Sequence, residues 1–405
     1  MTASALVRPL SPRDPHEPHR VATPLELLTD LCFVVAVAQA AAGLHHAVTA
    51  GHAATGLLGF AMAFFAIWWA WLNFTWFASA YDNDDVAYRL LTILQILGVL
   101  VLAAGVPLVF AGTFLVTVLG YVIMRVGLVL QWLRAARHDP AHRATCLRYA
   151  AGIVVVQLGW VSYVWIGRSE HLLVPFFVLF ALTDVAVPVW AERAGMTPWH
   201  PHHIAERYGL FFIIVLGETI LSATLAVSSA FADPEVRAAL ALVVVSSVLI
   251  VFSCWWLYFS REAAPVLAAA QGRDGRVQFV WGFGHYAIYA SAAAVGAGLA
   301  ARVDHWTHHS EASELVSAAA VTVPVAVLVA TIWLIQLRRQ DPAVWTAVPF
   351  GVAVLLILLG TFTPVPELVA GVVTVVLLAI QVWHLTRAAG REEGQEAGVG
   401  SATSA

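Results

Sequence analysis

The segment Leu210-Phe-Phe-Ile-Ile-Val-Leu-Gly-Glu218-Thr-Ile-Leu221 consists almost entirely of apolar residues. It belongs to a longer apolar stretch, residues 203–229, which can cross a bilayer as one helix because such a helix needs about 20 residues. Similar stretches follow one another from Pro24 nearly to the end of the chain. The pattern predicts an integral membrane protein.

The composition of the 405-residue chain supports this prediction. Hydrophobic residues make up 60% of it, charged residues 11%, and the mean hydropathy is +0.80. A soluble globular domain carries roughly 25% charged residues, so this chain could not cover a surface that faces water. No basic run indicates a nucleic-acid partner, and the lipid bilayer is the expected surrounding. Cys32, Cys146 and Cys254 are far apart and are predicted to be free thiols.

Apolar segments and charge together predict an all-α polytopic membrane protein with about twelve transmembrane helices. The predicted spans are residues 24–48, 56–80, 88–110, 112–136, 144–166, 171–191, 203–229, 236–260, 277–301, 314–338, 343–363 and 366–387. Cytoplasmic loops should hold an excess of Arg. With the N-terminus inside, sixteen of the 21 basic residues lie on the inner side and only Arg168, Arg237 and Arg302 lie in outer loops. We therefore expect a plasma-membrane protein with both termini cytoplasmic.

The two halves of the sequence resemble each other. Gln131–Pro140 ends span four and Gln336–Pro342 ends span ten with related residues, and Trp71–Phe74 in span two matches Trp256–Phe259 in span eight. This order predicts two parallel six-helix repeats, an arrangement found in one class of transporter. The alternative is that apolar helices resemble one another by composition.

The repeat prediction sets the expected domains. The first repeat is predicted at residues 23–191 and the second at residues 192–388. Residues 1–22 are predicted to be a disordered cytoplasmic tail, and residues 389–405, rich in Gly, Glu and Ala, a second disordered tail.

Polar residues inside the predicted spans are candidates for function, because an ionisable group there costs about 2.5–3.5 kcal/mol on insertion scales. They are expected to face the bundle interior as a transport site or as a buried polar network. The candidates are Glu26, Asp30, Asn73, Arg125, Asp184, Glu206, Arg207, Glu218 and His285.

Each candidate has a structural alternative. Glu26 and Asp30 share a helix face, and Glu26 is also suited to cap the helix N-terminus. Glu218 lies about 15 residues into its span, roughly 22 Å deep. Arg125 keeps its proton and needs a carboxylate, for which Asp184 and Glu218 are the natural partners.

The position of the candidates suggests a polar cavity open to the cytoplasm with an apolar outer seal. His285 could relay protons or could be a hydrogen-bonded packing residue. The candidates expected in the inner half or near the middle are Asp30, Asn73, Arg125, Asp184, Glu206 and His285.

Other chemistry is weakly indicated. His203 and Glu206 have a spacing that could hold a metal ion, but an interfacial helix cap explains them equally well. No motif of a hydrolase, nucleotide-binding protein or metalloprotease is present, and the loops are too short for an ATPase domain. We expect no enzymatic activity and no cofactor.

Two strings resemble the bacterial low temperature requirement protein A family. They are Thr23-Pro-Leu-Glu26-Leu-Leu-Thr-Asp30-Leu-Cys-Phe-Val34 and His203-Ile-Ala-Glu206-Arg207-Tyr-Gly-Leu-Phe-Phe-Ile-Ile-Val-Leu-Gly-Glu218, and His285-Tyr286 fits as well. The resemblance extends over about residues 22–388. It implies a membrane protein linked to growth at low temperature and leaves the biochemical activity undefined.

Three functions stay open at this point. The first is a secondary transporter or permease whose partner is a small solute, a proton or a cation. The second is a cation channel, since Leu28-Thr29-Asp30 is faintly similar to the Phe-Ser-Asp motif of a potassium-channel family; Leu210, aligned with Asp30, lacks the acid that two matched repeats would predict. The third is a membrane stress-response protein without transport. The sequence is compatible with a homo-oligomer.

Overall fold

The computed structural model describes residues 8–14, 17, 20–166, 169–230, 237–271, 275–340 and 344–402. Within them the chain is helical and contains no strand. The helices are α1 (Pro24–Thr49), α2 (Ala53–Tyr81), α3 (Val86–Phe110), α4 (Leu115–His138), α5 (Arg143–Ile166), α6 (Glu170–Ala191), α7 (Pro201–Ala230), α8 (Arg237–Phe259), α9 (Ala264–Ala270), α10 (Gly275–Trp306), α11 (Glu314–Thr331), α12 (Val344–Gly360) and α13 (Pro366–Ala402).

The prediction of an all-α multi-pass protein is confirmed. Eleven helical segments in the described residues are long and apolar enough to cross a membrane, and the apolar helix Ala347–Gly360 within α12 is shorter. Each predicted span coincides with a helix, and the span at residues 343–363 coincides with the shorter α12. Helix α9, of seven residues, lies where the sequence predicted a loop. A π-helical turn, Ile332–Leu337, continues α11.

The first turn of α1 is held by a reciprocal cap. The backbone N–H of Thr23 donates to Oε2 of Glu26 at 2.7 Å, and the backbone N–H of Glu26 donates to the Thr23 hydroxyl at 3.3 Å. Such a capping box satisfies two N–H groups that a helix N-terminus leaves free. It also fixes the side chain of Glu26 for the contacts described below.

The chain divides into two compact units. The first comprises Met1–Glu218 with Ala263–Gln271, and the second comprises Thr219–Glu262 with Gly272–Ala405. The division falls inside α7 and not between residues 191 and 192, where the sequence placed the boundary between repeats. A compact unit is defined by contacts and a repeat by ancestry, so the repeat stays a prediction.

Small residues let helices approach closely in each unit. In the first unit, a Cβ atom added to Gly98 of α3 would lie 2.7 Å from the carbonyl oxygen of Gly120 in α4. In the second unit, a Cβ atom on Gly298 of α10 would collide with the carbonyl oxygen of Ala320 in α11. Contacts of this kind are typical of helices packed inside membranes.

Parts of both predicted tails lie within the described residues. Leu10 is buried, and the N–H of Arg13 donates to the carbonyl oxygen of Ala80 at 3.0 Å. The guanidinium of Arg20 donates to the carbonyl oxygens of Ala78, at 2.7 Å, and of Ser79. The described part of the N-terminal segment is therefore held against the last turn of α2, and α13 continues as a helix to Ala402.

Candidate functional site

Four charged or titratable side chains of the first unit meet inside the protein, and we call them the α1–α7 cluster: Glu26, Asp30, His203 and Arg207. Arg207 Nη1 lies 3.0 Å from Glu26 Oε1, and Arg207 Nη2 lies 2.6 Å from Asp30 Oδ1. His203 Nε2 lies 3.1 Å from Glu26 Oε1. All four side chains are 0% exposed. Two acids from one helix thus face two basic groups from another.

Helix α2 supplies the neutral wall of the α1–α7 cluster. The indole N–H of Trp71 donates to Asp30 Oδ1 at 2.8 Å, and Arg207 Nη2 donates to the Thr75 hydroxyl at 3.4 Å. The ring of Phe74 lies 5.8 Å from the Arg207 guanidinium carbon. The cluster residues of each helix are spaced by four, so they share one helix face.

The α1–α7 cluster is not balanced in charge. It contains two carboxyl groups, one guanidinium that keeps its proton and one imidazole. With His203 neutral and both carboxyl groups ionised, one negative charge is uncompensated, which is costly in a buried site. Asp30 Oδ2 and His203 Nδ1 have no hydrogen-bond partner among the described residues. Counted alone, these four groups need one further positive charge, which a bound proton can supply. The next charges, on Arg20 and Asp82, both act on Glu26 and are opposite in sign.

A second buried pair lies between α4 and α6, and this one is balanced. Arg125 Nη2 donates to Asp184 Oδ1 at 2.9 Å and to Oδ2 at 3.1 Å. The indole N–H of Trp160 donates to Asp184 Oδ2 at 2.9 Å, and Arg125 Nη1 donates to Asn73 Oδ1 at 3.4 Å. Asp184 is thus bound to Arg125, as the sequence suggested, while Glu218 is buried in α7 at the limit of the first unit.

A polar pocket lies beside this pair, lined in part by Thr29, Asn73, Gln95 and Arg125. Its free volume is about 10 Å³, which is the space of about one water molecule. A polar cavity open to the cytoplasm stays a prediction. In the described first unit the polar candidates are packed against one another and hold little free space.

The comparison with known proteins supports the family resemblance. The family model of the bacterial low temperature requirement A protein (LtrA) matches residues 21–382. The chain belongs to the LtrA family. It is also 28% identical over 391 residues to the uncharacterized protein RA0937 of Rhizobium meliloti (strain 1021), covering 90% of each chain. The match includes every candidate residue, and neither description names a substrate.

The remaining candidates of this LtrA protein have more ordinary surroundings. In the second unit, His285 Nδ1 lies 2.7 Å from the carbonyl oxygen of Trp281, and Nε2 lies 2.9 Å from the Tyr258 hydroxyl. Both ring nitrogens are engaged, which fits the packing interpretation. Glu206 is half-buried, and the backbone N–H of Ala22 donates to its carboxylate.

The structure does not assemble a metal site from His203 and Glu206. His203 turns towards Glu26, whereas Glu206 turns towards the chain before α1. Within the described residues no group of three or more His, Cys, Asp or Glu side chains is arranged to hold a metal ion.

Sequence reasoning missed a buried ion pair of the second unit. Arg302 Nε donates to Glu367 Oε2 at 3.0 Å, the indole N–H of Trp306 donates to Glu367 Oε1 at 3.3 Å, and the paired side chains are 1% and 0% exposed. Arg302 was placed in an outer loop, but α10 continues to Trp306. The signal was available, since Arg302 and Glu367 each stand next to apolar sequence.

Asp82 was missed as well. It lies between α2 and α3, and the N–H of Asp84 donates to its Oδ1 at 2.9 Å. Burial, together with the negative charge of Glu26, raises the pKa of Asp82 to about 6. Its carboxyl group is therefore a neighbour of the α1–α7 cluster that titrates in a mildly acidic range.

Proposed function

We propose that this LtrA protein is a proton-coupled secondary transporter of a small solute or ion, in the plasma membrane, with both termini cytoplasmic. The observation that carries the proposal is the charge imbalance of the α1–α7 cluster. Two carboxyl groups share one guanidinium in a site without exposure to solvent. Such a site is neutral only when it holds one additional proton or cation.

A transporter can use this imbalance because proton binding changes the attraction between two helices. With the extra proton bound, Glu26 and Asp30 of α1 are matched by Arg207 and His203 of α7. Without it, one carboxylate is left without a counter-charge, and the contact between α1 and α7 is weakened. These are the first helices of the two predicted repeats, so a proton-dependent contact between them supports alternating access.

The alternative of a cation channel finds less support. A channel requires a lined and continuous pore, whereas the polar pocket beside Asn73 and Arg125 has room for about one water molecule. A membrane protein without transport would be expected to carry balanced pairs, as Arg125 and Asp184 do. The unbalanced α1–α7 cluster favours the transporter.

The experiment is a rapid pH jump on proteoliposomes adsorbed to a capacitive electrode. We expect a transient current in the wild type, because a proton that enters a buried site displaces charge. Asp30→Asn removes the excess carboxylate, and its current should fall at least fivefold. Glu218→Gln should be measured in parallel, since it tests the buried acid of α7.

The matched control is Asp84→Asn. Asp84 forms an exposed ion pair with Arg89, so its removal should leave the current unchanged. A wild-type protein that gives no pH-jump current would overturn the proposal. So would a sustained potassium or sodium current without a solute gradient, which would establish a channel.

A further inference from the structure

The segment before α1 is bound to the ends of several helices of the first unit. We call its described residues the N-terminal latch: 8–14, 17 and 20–22. At its start, the backbone N–H of Arg8 donates to Asp85 Oδ2 at 2.7 Å, and Arg134 of α4 donates to the Arg8 carbonyl oxygen at 2.7 Å. Further along, Arg13 and Arg20 donate to backbone carbonyl oxygens in the last turn of α2. The latch therefore joins α2, α4 and the residue before α3.

The N-terminal latch also contacts the first turns of α7. The Glu17 carbonyl oxygen lies 2.6 Å from Nε2 of His200, the residue directly before α7. The backbone N–H of Ala22 donates to the carboxylate of Glu206. Both contacts attach the latch to the helix that supplies the basic half of the α1–α7 cluster.

His200 is the latch contact whose chemistry depends on pH. The residue is 5% exposed, and its Nδ1 accepts a hydrogen bond from the backbone N–H of His203 at 3.2 Å. Since Nδ1 is an acceptor, the proton of the neutral ring lies on Nε2, which donates to the Glu17 carbonyl oxygen. The backbone N–H of His200 donates to the Ser79 hydroxyl oxygen at 3.0 Å. One neutral imidazole thus caps the start of α7 and holds the latch.

A second proton on His200 is incompatible with these contacts. It would have to bind to Nδ1, which faces the N–H of His203, so that two donors would oppose each other. The imidazolium would also lie at the N-terminus of α7, where the helix dipole disfavours positive charge. The charged and titratable groups that face His200 are Glu17 and Arg20 of the latch and His202 of α7, and the end of α2 faces it with a neutral hydroxyl. Burial and the charge of Arg20 lower the pKa of His200, so the ring is neutral near pH 7.

We propose that the N-terminal latch is released in acid and that His200 is the group whose protonation releases it. At neutral pH the latch holds the start of α7 against the last turn of α2. When His200 gains a proton, its ring leaves the N–H of His203 and the bond to Glu17 is lost. Because the pKa of His200 is lowered by folding, this contact contributes fully above the ordinary pKa of about 6.5 and is lost as the pH falls below it. The inference goes beyond the proposed function and does not depend on proton transport by the α1–α7 cluster.

The test is amide hydrogen exchange of the latch, read by mass spectrometry on the full-length protein in nanodiscs at pH 7.5 and pH 5. Labelling times are scaled to the intrinsic exchange rate at each pH. The N–H groups of Arg13 and Ala22 are hydrogen-bonded in the closed latch. In the wild type they should exchange about fivefold to tenfold faster at pH 5, which corresponds to the loss of one buried hydrogen bond. Peptides from the middle of α4 should show no such change.

His200→Asn is the decisive variant. Its amide oxygen can accept the N–H of His203 as a helix cap, but the side chain cannot gain a proton, so the latch should exchange at the same rate at both pH values. His46→Asn is the matched control, since His46 is exposed in the last turn of α1, and it should keep the wild-type response. Asp82→Asn removes another group near the latch that titrates in this range and should also keep the response.

Three results would overturn the inference. A wild-type latch that exchanges equally at both pH values is not released by acid. An undiminished acid response in His200→Asn would place the sensor elsewhere, and loss of the response in Asp82→Asn would assign it to that carboxyl group. If His200→Asn does not fold, His200→Gln takes its place with the same expectation, because its amide nitrogen can still donate to the Glu17 carbonyl oxygen. The pH-jump current is not used, so a failure of the proposed function leaves this test intact.

Discussion

The two compact units bury their charged side chains in different proportions. In the first unit, the α1–α7 cluster sets two carboxyl groups, Glu26 and Asp30, against the single guanidinium of Arg207. In the second unit, Arg302 and Glu367 form a pair of one acid and one base. Both sites are inaccessible to solvent, so the difference between them lies in charge and not in burial.

The difference in charge means that the two sites should respond differently to pH. A balanced pair is neutral at any ordinary pH, and its net contribution to stability is small once desolvation is counted. An unbalanced cluster changes its net charge when a proton enters or leaves. We therefore expect the loss of one basic partner to destabilise the protein at either site, but only the α1–α7 cluster to respond to pH jumps.

The largest effect is expected from Arg207→Met. This change leaves Glu26 and Asp30 buried without a guanidinium, and removal of one partner from a buried ion pair costs roughly 3–5 kcal/mol. We expect the thermal unfolding temperature in detergent to fall sharply, or the yield of folded protein to collapse, as judged by fluorescence-detected size-exclusion chromatography.

Compensating changes test the charge count behind this prediction. Arg207→Met combined with Asp30→Asn leaves Glu26 and His203 with the same excess of one acid as the wild type, so it should restore part of the lost stability. Adding Glu26→Gln makes the site neutral without a bound proton and should restore most of it. Full recovery with only one of the two amides would contradict a cluster of two ionisable acids.

The next effect concerns the balanced pair of the second unit. Arg302→Met should destabilise the protein by about 3 kcal/mol, because it leaves Glu367 buried without its partner. Adding Glu367→Gln should recover most of this loss, in contrast to the partial recovery in the first unit. The double variant should also keep the wild-type pH-jump current, and its loss would show that the second unit takes part in proton binding.

Much of the helical architecture was predictable because membrane helices are strongly marked in sequence. Twenty apolar residues in a row leave few alternatives, and the long helices coincide with the predicted spans. The contacts of the N-terminal segment did not follow from its polar composition, which is typical of disorder. What composition does not show is that Arg20 donates to the carbonyl oxygens of Ala78 and Ser79 at the end of α2, a favourable place for a cation.

The candidate site was predictable in its members and not in its pairings. Glu26 and Asp30 stand out because they are four residues apart in an apolar helix. Their partner Arg207 follows Asp30 by 177 residues, and only the packing of α1 against α7 brings them together. A pocket lined by Trp160 and Phe177 was not predicted, because both are ordinary residues for a membrane helix. Its size depends on packing, which periodicity does not determine.

A smaller effect is expected where helices are in backbone contact. Gly98→Ala places a methyl group 2.7 Å from the backbone of α4, and overpacking of this kind costs about 1–3 kcal/mol. Gly351→Ala in α12 is the matched control, because a Cβ atom there would meet nothing within 4 Å. We expect a lower unfolding temperature for Gly98→Ala alone; equal values for the two variants would argue against close packing of α3 on α4.

The smallest effect is a dependence of the stability on pH, which we expect from Asp82 of the first unit. Burial raises the pKa of Asp82 to about 6, so the folded protein binds a proton there more tightly than the unfolded chain does. This contribution to stability is complete below the ordinary pKa of about 4 and is lost as the pH rises through about 6. In Asp82→Asn the buried side chain cannot ionise, so this stability is not lost as the pH rises. The variant should be more stable than the wild type by about 1–2 kcal/mol at pH 7 but not at pH 4. Unfolding temperatures at the two pH values test this, with Glu311→Gln of the second unit as the exposed control. An equal difference at both pH values would show that Asp82 does not titrate between them.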